Sequence, residues 1–180
     1  MKLTDSELLL LGLVAEMPRH GYELEQVIET RGMRDWTQIG FSSIYFVLSK
    51  LEKAGLVLTE APVGARSRKT FSITAAGREA LQQQTISALE THRPTYSSLL
   101  LGMIHWPALS RKAALDALER RLSSVAAEME RLERLRRLRQ PMPDHIEVLF
   151  DLSASQLAAE RSWIATTLDY MRNKPWPTKE

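Results

Sequence analysis

Apolar residues recur at helical spacing through the first fifty positions of the chain. Leu8, Leu9, Leu10, Leu11, Leu13 and Val14 cover more than one face, which predicts a helix buried between layers. Thr4 with Glu7 three residues on has the form of a capping box, so this helix is expected from about Asp5 to Met17, stopped by Pro18. After a break at His20-Gly21, Tyr22, Leu24, Val27 and Ile28 define a short second helix, closed by Gly32 as a left-handed cap. Ile44, Val47, Leu48 and Leu51 form the inner stripe of a third, capped by Ser42 or Ser43 and ending at Gly55. Its other face carries Ser43, Phe46, Ser49, Lys50 and Lys53.

The period then changes. Leu56 to Ala61 and Thr70 to Thr74 read as two short strands, joined by a loop whose tip carries Arg66, Arg68 and Lys69. Thr74 suits the cap of a fourth helix reaching Leu89 or Thr91. Three helices, a hairpin and a further helix describe a winged helix-turn-helix. Pro94, Gly102 and Pro107, interspersed with Tyr96, Met103, Ile104 and Trp106, mark a connecting segment with apolar anchors.

Beyond it, Leu115, Leu118, Leu122, Val125, Met129 and Leu132 alternate three- and four-residue steps, a coiled-coil-like seam. Pro141 and Pro143 break that helix. A last helix, starting at Pro143 or Asp144, carries Ile146, Phe150, Leu157, Ile164, Leu168 and Met171 on one stripe and Leu149, Leu152, Trp163 and Tyr170 on a second. Two helices joined by a tight corner offer more apolar surface than they bury against each other, so a symmetric homodimer is expected. Its interface is assigned to Leu115, Leu118, Leu122, Val125, Met129, Ile146, Phe150, Leu157, Trp163, Ile164 and Leu168. The predicted fold is mainly α with a small β-hairpin. It comprises a winged helix-turn-helix DNA-binding domain over 1–91, a connecting segment over 92–110 and a long-helix dimerisation domain over 111–180.

Composition narrows the classes. With 44% hydrophobic and 26% charged residues the 180-residue chain has globular proportions. The apolar run from Leu8 to Val14 lacks a basic flank and is too short to cross a bilayer, so no membrane association is expected. The absence of cysteine excludes disulfides and thiolate metal sites and fits a reducing compartment, the cytoplasm. A net charge of +2 says little by itself; the clustering of basic residues at the hairpin tip matters more.

In a helix-turn-helix the second helix enters the major groove, its N-terminal residues reaching base edges. Ser42, Ser43, Phe46 and Lys50 are therefore the candidates for groove contacts. A phenylalanine there suits a thymine methyl, or alternatively packing against the start of the first helix. Arg66, Arg68 and Lys69 suit phosphate or minor-groove contact, the alternative being a solvated charged loop. His20, His92, His105 and His145 have no metal-ligand spacing, and no nucleophile elbow or phosphate loop is present, so neither enzyme, metal nor cofactor is expected. Met103, Trp106 and Trp163, with Trp36, are candidates for an aromatic effector pocket, or else core.

These features resemble the PadR family. The resemblance rests on His20-Gly21-Tyr22, on Ser42-Ser43-Ile44-Tyr45 with Leu48 and Leu51, and on the basic loop leading into Thr74. More loosely, it extends to Trp106-Pro107-Ala108-Leu109-Ser110 and Glu160-Arg161-Ser162-Trp163-Ile164. It implies a DNA-binding regulator, usually a repressor, dimerised through C-terminal helices on an inverted-repeat operator and sometimes released by a small aromatic or lipophilic effector. It also places Tyr22 with the DNA-facing set and Tyr45 at a phosphate, against the alternative of Tyr45 in the core. The chain departs from the family pattern at Phe46, where many relatives have proline or a polar residue, and at Ala65 and Ser67 in the loop. The rival reading is a winged-helix dimer that serves as a protein-interaction scaffold.

Overall fold

The capping box forms as the spacing predicts. The Thr4 hydroxyl accepts from the Glu7 amide at 3.3 Å and a Glu7 carboxylate oxygen accepts from the Thr4 amide at 2.7 Å, opening helix α1 (Asp5–Glu16). The computed structural model describes residues 2–37, 39–40, 43–60 and 69–176, with the side chains of Asp35 and Glu60 left aside. Its contacts divide the chain into two units, Met1–Pro94 and Thr95–Glu180.

In the first unit α1 is followed by strand β1 (Arg19–His20), helix α2 (Gly21–Thr30), a 3-10 turn (Met33–Asp35) and helix α3 (Ser43–Lys53). Strands β2 (Val57–Glu60) and β3 (Thr70–Ile73) and helix α4 (Ala75–Glu90) complete it. Gly32 and Gly55 take φ of 57° and 72°, the left-handed conformation that ends α2 and α3. Leu10, Leu11, Leu13 and Val14 of α1, Leu24 and Ile28 of α2 and Ile44, Leu48 and Leu51 of α3 form one buried core, closed below by Phe71 of the sheet. Leu8 and Leu9 pack on its margin, so α1 is enclosed on most of its circumference, as its leucine run predicts.

The sheet has three strands in the order β1-β3-β2, all antiparallel, where the sequence predicts two. The extra strand lies at the supposed break: Arg19 pairs with Phe71 and His20 with Thr70. Two residues are too few to show an alternating pattern. Arg19 is nonetheless buried, because its guanidinium donates to the Leu13 carbonyl and to Glu16 Oε2 (2.8 Å), satisfying the end of α1 from outside the helix.

The second unit comprises helix α5 (Ser98–His105), a 3-10 turn (Trp106–Ala108) and the long helices α6 (Arg111–Leu138) and α7 (Asp144–Asn173). The expected connecting segment thus contains a helix. Gly102 and Pro107 punctuate it, but the apolar run Leu99 to Ile104 carries it through. Helices α6 and α7 form an antiparallel hairpin laced by ion pairs: Arg172 to Glu119 at 2.8 Å, Arg121 to Glu160 at 2.6 Å, and Arg136 to Glu147 and Asp151 at the corner.

Much of the expected dimer set packs inside this hairpin. Leu118 and Val125 of α6, seven residues apart, share one core with Ile164, Leu168 and Met171 of α7, and Leu132, seven residues further on, is also buried. Phe150 is wholly enclosed, with the Arg139 guanidinium 5.9 Å from its ring. Leu115, Leu122, Met129 and Leu157 border the same core, and Ile146 is half-buried. The seven-residue seam is therefore closed within one chain. The second stripe stays open except at half-buried Leu149: Leu152, Trp163 and Tyr170 are exposed on α7, as are Leu100, Leu101 and Ile104 on α5.

Candidate nucleic-acid interface

Helix α3 is held from both sides. Its buried stripe faces the core, and at about 100° per residue Phe46, Ser49 and Lys53 project nearly opposite that stripe, with Lys50 and Tyr45 on the two flanks. On one flank the Lys50 ammonium lies 2.7 Å from Glu7 Oε1 of α1. Glu7 is itself buried, and its other oxygen accepts from the Thr4 amide and hydroxyl. Burial pushes the Glu7 carboxyl up, but the Lys50 hydrogen bond, the two Thr4 bonds and the Lys50 charge outweigh it and hold the group below its ordinary value.

On the other flank the Tyr45 ring lies over Gly21, the first residue of α2. A Cβ at Gly21 would stand 2.5 Å from Tyr45 Cε1, so glycine is what lets the ring approach. Tyr45 remains 58% exposed, which overturns the core alternative for it. Phe46 is 71% exposed, so the packing alternative fails for it too. Tyr22 is half-exposed beside His20, its ring centroid 6.4 Å from the imidazole. Ser43 opens α3 and is partly buried.

His20 has a capping role that the sequence reading did not assign to it. Its Nδ1 accepts from the Glu23 amide at 3.2 Å while Glu23 Oε2 accepts from the His20 amide at 2.9 Å, a second capping box with histidine as the cap. The usual Ser/Thr/Asp/Asn signal is absent there, although the Glu23 three residues on was legible. At the far end of α2, Arg31 makes two bonds to Glu16, of 2.6 and 2.8 Å, and Glu16 also receives Arg19. Arg31 pulls the Glu16 carboxyl below its ordinary value against the opposing effect of burial, with Arg19 adding to the pull.

Of the basic loop, Lys69 is described and exposed, while Arg66 and Arg68, like Ser42 before α3, lie outside the described residues. The loop's base is firmly built. Thr74 donates its hydroxyl to the Gly55 carbonyl (2.8 Å) and accepts from the Gly77 amide (2.9 Å), which locks β3 to the start of α4.

The expected effector group comes apart. Met103 and Trp163 do line one open cleft of about 600 Å³, with Leu99, Leu100, Ala159 and the Arg121–Glu160 pair. Trp106 does not: it packs against Trp176, ring centroids 5.7 Å apart, and Trp176 Nε1 donates to the Leu109 carbonyl at 3.0 Å. A tail that folds back after α7 thus captures Trp106. Trp36 ends the 3-10 turn of the first unit. Among the described residues no group of histidine and acidic side chains is placed to hold a metal ion, and no helix is long and apolar enough to cross a membrane.

Known proteins resemble this chain at two levels. Residues 10–83 match the model of the transcriptional regulator PadR-like family. Bacillus subtilis PadR, solved in complex with operator DNA, superposes with a TM-score of 0.73 at 20% identity, covering 92% of this chain and 98% of that one. The same protein in complex with p-coumaric acid gives 0.76 at 20% identity, covering 93% and 98%. A PadR-like regulator from Bacillus cereus gives 0.66 at 19% identity, covering 95% and 100%. An uncharacterised 37.1 kDa protein of transposon TN4556 from Streptomyces fradiae is 30% identical over 119 residues, 65% of this chain, and the chain spans 32% of that protein's length. Residues 10–83 are thus similar to the transcriptional regulator PadR-like family, in a chain that shares the winged-helix fold of solved PadR proteins over most of its length.

Proposed function

We propose that this protein is a cytoplasmic transcriptional repressor that binds an inverted-repeat operator as a homodimer and is released by a small aromatic acid. The observation that carries the reading is the outward face of α3. It stands at the second helix of a helix-turn-helix, braced by Glu7 on one side and Gly21 on the other, with Tyr45 and Phe46 open to solvent. Ser42 and Ser43 precede or open that face, Lys69 with Arg66 and Arg68 supplies phosphate contacts from the wing, and Tyr22 stands beside them.

Dimerisation is supported by the apolar surface that the α6–α7 hairpin leaves open at Leu152, Trp163 and Tyr170, continued by Leu100, Leu101 and Ile104 of α5. The cleft of Met103 and Trp163 supports the effector: an aromatic ring suits Trp163, and a ligand carboxylate competes with Glu160 for Arg121. p-Coumaric acid, bound by Bacillus subtilis PadR, is the compound to try first.

Fluorescence anisotropy with duplex DNA from upstream of the protein's own gene, against a shuffled duplex at two salt concentrations, tests the reading. Tight binding to the first alone, weakened by p-coumaric acid, is expected. Equal, weak binding to both removes it and favours the protein-interaction scaffold.

A further inference from the structure

Tyr45, Phe46 and Lys50 in the first two turns of α3 face away from the core, and two of them are engaged inside the domain. Lys50 is drawn to Glu7 at 2.7 Å, and the Tyr45 ring is seated on Gly21. Phe46 is left 71% open, more than any other large hydrophobic residue of α1, α2 or α3. It sits in the first turn of the helix, where groove-binding helices reach base edges. The remaining outward residues are Ser49, a small hydroxyl, and Lys53 at the far C-terminal end.

A phenyl ring offers neither a hydrogen-bond donor nor an acceptor. Of the groups that base pairs expose in the major groove, only the C5-methyl of thymine is apolar. We propose that Phe46 reads C5-methyl groups in the major groove, so that this protein selects thymine over uracil and, by the same contact, 5-methylcytosine over cytosine. The chemistry is desolvation of one methyl against the ring face. Lys50, tied back by Glu7, leaves that position without a competing bidentate contact to guanine. The inference rests on α3 being the groove helix.

Burial of one methyl group corresponds to about fourfold in affinity, and an inverted repeat with one such contact in each half-site to roughly fifteenfold. The full-length protein is used to enrich binding duplexes from a random pool. In the tightest duplex each thymine is then replaced in turn by deoxyuridine, which removes only the methyl. One or two positions per half-site should lose about fourfold with the native protein and show no loss with Phe46→Ala. Where a cytosine can stand at such a position, its 5-methyl form should bind about fourfold better than the plain base, again only with Phe46 present. An exposed side chain leaves the fold intact on truncation, and the uracil comparison on native protein needs no variant. An enriched duplex indifferent to uracil at every position overturns this inference alone, as do uracil losses of equal size in Phe46→Ala. A pool that never enriches overturns the DNA-binding reading and this inference with it.

Discussion

Lys50 Nζ lies 2.7 Å from Glu7 Oε1, joining the outer edge of α3 to the buried first turn of α1. The carboxylate is almost fully enclosed, whereas the ammonium is more than half exposed. Removing the cation strands a buried charge that keeps only its Thr4 bonds. Lys50→Met, which preserves the aliphatic stem, should therefore lower stability by about 1–2 kcal/mol in urea unfolding. A loss of DNA affinity without any loss of stability would instead make Lys50 a direct DNA contact, as the sequence first suggests.

Gly21 and Gly77 should respond oppositely to alanine. At Gly21 the new Cβ meets the Tyr45 ring, the mobile end of an exposed side chain, which can swing aside. Gly21→Ala should leave the thermal midpoint nearly unchanged yet weaken operator binding, and the weakening should vanish in a Tyr45→Ala background.

At Gly77 the new Cβ would stand 2.0 Å from the Leu56 carbonyl oxygen and 2.8 Å from Ile73 Cγ1. Backbone cannot yield as a ring can. Gly77→Ala should cost about 3 kcal/mol, read as a lowered urea midpoint at unchanged slope.

The carboxyls of Glu7 and Glu16 sit below their ordinary value of 4.5 in the folded state. Each then binds its proton more readily in the unfolded chain, so its contribution is complete above that value and is lost as the pH falls through it toward the folded-state value. The urea midpoint of the N-terminal unit should drop below about pH 5, and Glu16→Gln should flatten that drop. A midpoint independent of pH down to about 3 would refute the ion-pair account.

On α7, inward and outward residues should separate cleanly. Ile164→Ala removes a wholly buried side chain and should cost about 2–5 kcal/mol of stability. Leu152→Lys with Tyr170→Lys, both on the open stripe, should leave unfolding little changed and lower the molar mass found by light scattering toward that of a monomer.

Elements defined by long periodic runs were readable in advance. The stripe of Ile44, Val47, Leu48 and Leu51 fixes α3, and Thr4 and Thr74 both cap as their spacing suggests. What stayed hidden depends on distant residues. β1 exists because Arg19 and His20 meet Phe71 and Thr70, some fifty positions away, which no local pattern records. Leu118 and Val125 are correctly legible as a seam, but periodicity cannot say whether the facing helix belongs to the same chain. For the interface, spacing finds the outward face of α3, whereas the engagement of Lys50 and Tyr45 and the isolation of Phe46 are visible only in three dimensions. Trp106 was grouped with Met103 and Trp163 by type; Trp176, a residue near the tail, decided otherwise.

His20 ends a strand paired to the wing and begins the helix on which Tyr45 rests. One residue is thus both the last rung of a sheet and the lid of a helix, with no slack between. A displacement of β3 would therefore act first on His20, and through it on the turn of α2 against which Tyr45 rests. Phosphate gripped by the loop and bases faced by α3 would then be felt as a single mechanical event, so a wing that docks badly should spoil base discrimination as well as affinity.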